Sequence, residues 1–112
     1  MFKITQTASY SWPVSVNIPT NGGLYEKQTF DGDFKRLADS RLKEIRMAVE
    51  KEEMTDADFV REVMVGWKGV TDGTNDVPFS ESALAQLLDI PGVSGAIVTA
   101  VIESLSGLKR KN

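Results

Sequence analysis

A chain of 112 residues with no cysteine and no histidine makes one modest domain and has no disulfide, no thiol nucleophile and none of the commonest general bases or metal ligands. Only carboxylates, Lys, Tyr, Ser and Thr remain for chemistry, and no pair of carboxylates stands apart from plain surface charge, so the sequence points away from an enzyme. A net charge of −3 and a pI near 4.9 oppose attraction to nucleic acid or anionic lipid.

No stretch reaches the roughly 18 apolar residues of a membrane span. The polar start MFKITQTASYSW lacks a signal peptide's apolar run, so the chain is expected to stay in the cytosol where it is made. A single small core leaves little surplus stability, and pairing with copies of itself or with a partner would help. The expected fold class is α+β in one domain. A β-hairpin region over residues 1–36 precedes a bundle of about four short helices over residues 37–108, and Lys109-Arg110-Lys111-Asn112 form a frayed basic tail at 109–112.

Phe2-Lys3-Ile4-Thr5-Gln6 suits a short strand and a loose arm equally well. Val14, Val16 and Ile18 alternate with Ser15 and Asn17 as in a half-buried strand, which Pro13 can start or edge. The cluster Pro19-Thr20-Asn21-Gly22-Gly23 is a turn, and Leu24 to Phe34 is the returning strand of a hairpin. Neither face of that strand is cleanly apolar, and a lone hairpin is marginal, so it must lie on the helices or pair with another subunit.

Asp39 to Glu53 has helical character, with Ala38, Leu42, Ile45 and Val49 as one buried stripe and a solvated face charged in both signs. Thr55 and Asp58 form a capping box that starts a new helix. Phe59, Val60, Val63, Met64 and Trp67 follow at helical spacing, which puts Trp67 in the last turn and makes Gly69 the left-handed residue ending the helix.

Thr71-Asp72-Gly73-Thr74-Asn75-Asp76 is a loop of turn formers. A calcium loop counted from its first Asp would need Glu at the twelfth position, where Ala83 stands, so no metal and no cofactor is expected. Ser80 is the N-cap of a helix carrying Leu84, Leu87 and Leu88, and Phe79 before it can staple against Leu84 or its neighbours. Pro91 fits the first turn of a last helix from Val93 to about Leu105. Ile97, Val101 and Leu105 take one side of it, and Val98 and Ile102 face away from them. A helix so apolar is either central to the core or partly a surface for self-association or client binding.

The order of elements from the Gly66-Trp67 pair through Gly69-Val70, the Asp72 loop, Val77-Pro78-Phe79-Ser80, Leu84, Leu87-Leu88 and Val93 resembles the tail assembly chaperones of long-tailed bacteriophages. The likeness covers roughly residues 59 to 105. It implies a non-enzymatic protein of the host bacterial cytoplasm that binds the tape measure protein and keeps it soluble until tail tube protein polymerises around it. It also implies self-association and, in many members, a longer frameshifted form that reaches the tail tube protein. An apolar groove would hold such an extended amphipathic client, with Trp67, Phe79, Leu88, Ile97, Val98, Val101 and Ile102 as the candidate contacts. The competing readings are a structural tail-completion or head-tail joining protein and a small phage regulator that binds a host partner.

Overall fold

The computed structural model describes residues 1–107; the basic tail expected at 109–112 lies outside them. The fold is α+β: an N-terminal antiparallel sheet followed by helices, in the order β1 (Ser9–Pro19), β2 (Tyr25–Lys35), α1 (Asp39–Glu50), α2 (Asp56–Val63), β3 (Met64–Lys68), α3 (Glu81–Leu88) and α4 (Val93–Ser106). β1 and β2 form the expected hairpin around Thr20, whose N–H donates to the carbonyl of Leu24 at 2.8 Å. Residues before Ser9 are an exposed arm without strand structure.

The sheet has a third strand, which corrects the helical reading of Trp67. β3 pairs antiparallel with β2 and places Trp67 opposite Gly32. A bulge lies between Asp33 and Phe34 in this pairing, since Asp33 faces Gly66 while Phe34 faces Met64. Val65 is therefore extra on β3 and turns outward, at 49% exposure, while Met64 and Trp67 both face the core. Those two are three positions apart, a spacing that in sequence is indistinguishable from one face of a helix. Gly69 does adopt a left-handed conformation, φ +84°, but it ends this strand and not a helix.

The inner face of the sheet carries Val14, Val16, Phe30, Phe34, Met64 and Trp67, all buried. Gly32 lies among them because a Cβ there would stand 2.7 Å from the ring of Phe34 and 3.2 Å from Cε of Met64. Phe34 is fully buried and cannot retreat, so only glycine lets ring and thioether close over the strand. α4 lies across β1, and α2 and α3 pack on α4. A hydrogen bond of 2.7 Å between Tyr10 Oη and Ser104 Oγ fixes α4 to the first strand.

α1 ends at Glu50, three residues earlier than expected, and Glu52 at φ 60° completes the turn that follows. Its stripe is buried only at Ile45; Leu42 is half-buried, and Ala38 and Val49 are exposed. α2 opens on the predicted capping box, with Thr55 Oγ1 accepting from Asp58 N at 3.1 Å and Asp58 Oδ2 accepting from Thr55 N at 3.0 Å. Those bonds from Thr55 hold the Asp58 carboxyl below its usual range. Ser80 caps α3 as expected, accepting from Ala83 N at 3.0 Å. Pro91 sits in the turn between α3 and α4 and not in the first turn of α4, whose N-cap is Gly92 in a left-handed conformation that only glycine takes without strain. Among the described residues no single helix is long and apolar enough to cross a membrane; α3 and α4 meet that length only as a pair bent by 103°.

Candidate functional site

The seven candidate contact residues fall into three settings. Trp67, Ile97 and Val101 are core side chains, with Ile97 fully buried. Phe79, Leu88 and Val98 are half-buried against that core. Ile102 is open to solvent at 60% exposure.

Trp67 and Phe79 come together at the foot of the polar loop. The Trp67 Nε1–H donates to the carbonyl of Val77 at 2.7 Å, and its ring meets Phe79 edge-on with centroids 4.9 Å apart. Phe79 thus packs on the tryptophan. The loop between them is held by its own side chains: Asp72 Oδ1 accepts from Thr74 N at 2.9 Å and Asn75 N at 2.8 Å. The bonds from Asn75 and Thr74 keep the Asp72 carboxyl below its usual range. No group of three or more metal-ligating side chains occurs among the described residues.

α4 is two-sided. Ile97, Ala100 and Val101 are buried on one side. On the other, Val98, Ile102 and Leu105 share a row at four- and three-residue steps, with Ile102 and Leu105 exposed. Leu105, expected on the side of Ile97 and Val101, turns outward near the helix end, at 53% exposure.

Leu105 also borders a cleft of about 390 Å³ between the start of β1, the end of β2 and the start of α1. Tyr10, Leu37, Leu42, Val63 and Val101 supply apolar walls, and Lys35 and Arg36 are its two charged residues. Arg36 lies over the Tyr10 ring with its guanidinium carbon 4.9 Å from the centroid, and its Nε–H donates to Thr7 Oγ1 at 3.3 Å. Sequence reasoning missed this cleft because its residues come from four separated segments that share no motif.

α1, which forms one wall, is fastened to α2 by a two-pronged ion pair. Arg41 Nε donates to Glu62 Oε2 at 2.8 Å and Arg41 Nη2 to Glu62 Oε1 at 2.6 Å. The bonds from Arg41 hold the Glu62 carboxyl below its ordinary value of 4.5. Because the folded value is depressed, the stability this pair contributes is present above the ordinary carboxylate range and is lost as pH falls through the folded value. The Glu62→Gln variant is therefore expected to exchange the amides of α1 faster at neutral pH, by hydrogen–deuterium exchange. Its α1 protection should also change less than wild type on going from pH 7 to about 3.

Compared with known proteins, the chain matches a family model described as phage tail assembly chaperone over residues 1–112. No curated protein and no solved structure matches it.

Proposed function

The chain belongs to the phage tail assembly chaperone family, and from that premise we propose that it binds the tape measure protein and keeps it soluble while the tail is built. The role is one of holding a client, without catalysis, in the cytoplasm of the infected host cell. The observation that carries this reading is the outer row of α4. Ile102 and Leu105 are exposed beside the half-buried Val98, on a helix whose opposite side is anchored in the core. A rigid helix presenting an apolar row suits an amphipathic segment of a long helical client, which would otherwise aggregate through the same surface.

Of the seven candidate contacts, Ile102 is then the first point of client contact, with Val98, Leu88 and Phe79 reached as the client settles. Trp67, Ile97 and Val101 hold the helix and loop in place from beneath. Self-association and a longer form that meets the tail tube protein belong to the same proposal.

The test is co-expression with the tape measure protein of the same phage, followed by affinity pull-down and light scattering of the complex. A soluble tape measure that elutes with several copies of this chain is the expected result. The Ile102→Ser chain should leave the tape measure insoluble while its own circular dichroism spectrum stays that of wild type. Insoluble tape measure beside a folded wild-type chain that elutes alone defeats the proposal.

A further inference from the structure

The outer row of α4 lies between charges of opposite sign that belong to its neighbours. α4 itself carries one charged residue, Glu103, which the helical step sets about 100° round from Ile102. Followed back from Leu105 through Ile102 and Val98, the row reaches Gly95. A Cβ on Gly95 would lie 4.0 Å from Oδ2 of Asp56, the first residue of α2. Asp56 is exposed and forms no ion pair among the described residues. At the other end Leu105 belongs both to the row and to the cleft that holds Lys35 and Arg36. Neither of these cations forms an ion pair among the described residues. Lys35 acts on Glu62 from beyond ion-pair distance, and both Glu62 oxygens are already held by Arg41. Arg36 uses Nε for Thr7, so its terminal nitrogens stay available. A carboxylate thus stands at one end of the row and two cations at the other, about 15 Å apart at about 1.5 Å per residue.

We propose that the Lys35/Arg36 cleft reads a carboxylate on the client. The segment taken up is an amphipathic helix with an acidic residue at the end lying in the cleft and none at the end beside Asp56. The inference rests on the reading that the outer row receives the client, and adds which segments it accepts and how they lie. An apolar row by itself holds any amphipathic helix. Attraction at one end and like-charge rejection at the other make it selective and fix the direction of the bound segment. Gly95, without a side chain, leaves room for the client to come close to Asp56.

Fluorescence anisotropy with the purified full chain and synthetic capped peptides tests it. The neutral probe has about 20 residues, enough to span the row, with leucines at helical spacing and glutamine and alanine elsewhere. Two further probes carry paired glutamates at the N-terminal or the C-terminal end, and a fourth carries them at both. In low salt, wild type is expected to bind at least one singly charged probe about fivefold tighter than the neutral one, an advantage that fades in high salt. The probe with glutamates at both ends should bind more weakly than that one, and Asp56→Asn should remove the difference. Arg36→Glu should abolish the preference with circular dichroism unchanged. Lys35→Gln, which spares the contacts of Arg36 with Tyr10 and Thr7, should reduce it and replaces Arg36→Glu if that chain does not fold. Glutamate probes bound no tighter than the neutral one, or a preference that survives both variants, overturns the proposal. A neutral probe held by wild type and lost by Ile102→Ser, with no gain from glutamates, leaves the outer row in place and removes only the cleft's role. A neutral probe that wild type does not hold removes the outer row itself, and this inference with it.

Discussion

Trp67→Ala is expected to lower the unfolding free energy by about 3–5 kcal/mol, a large part of the roughly 5–15 kcal/mol that holds a domain of this kind together. Three losses combine in it. The indole is buried at 8% exposure on the inner face of β3, its edge-on contact with Phe79 disappears, and the carbonyl of Val77 loses the donor it has at 2.7 Å. Trp67→Phe separates these terms. It keeps an aromatic ring in the core but leaves the carbonyl unpaired, and the cost of an unsatisfied group is about 1–3 kcal/mol. Urea denaturation followed by the fluorescence of the remaining Trp12 measures both, and an unchanged denaturant slope confines the effect to stability. A Trp67→Ala midpoint equal to wild type would show that the strand and the loop are not held by this side chain.

Ile97→Ala is the second large effect, expected at about 2–5 kcal/mol because the side chain is fully enclosed and its removal leaves a cavity. Five residues along the same helix, Ile102→Ala should fall within about 0.5 kcal/mol of wild type, since most of Ile102 is already in water. The two variants are chemically the same deletion, so the difference between their urea midpoints measures the two-sidedness of α4 directly. Equal losses at both positions would mean that the outer row is core, and would remove the surface on which client binding depends.

The parts of this fold that sequence reasoning reached are those set by local chemistry. The hairpin, the Thr55–Asp58 box, the Ser80 cap and the left-handed Gly69 each depend on neighbours within a few residues, and all are present. The third strand was out of reach because its identity comes from Asp31–Phe34, far back along the chain, and because the extra residue Val65 disguised strand positions as helical ones. Leu105 and Val49 were misplaced for a related reason. Periodicity gives the side of a helix, but where the partner surface stops is a tertiary fact, and both residues lie where α4 and α1 run past what covers them. The apolar row on α4 was partly legible through Ile102 and Val98. The cleft was not, since cations at 35 and 36 acquire meaning only when Leu42 and Leu105 are brought beside them.

The position of α4 bears on how the protein is made. β1, whose Val14 and Val16 are buried, packs against α4, the helix that the ribosome produces last among the described elements. The hairpin can pair as soon as Lys35 has emerged, yet β1 lacks the helix that packs on it until α4 arrives. A nascent chain stalled before Val93 would therefore display Val14 and Val16 without the helix that packs on their strand, and would be a substrate for the host's own folding and degradation machinery. A protein that shields another chain from aggregation thus passes through the same hazard during its own synthesis, and leaves it in a single late step.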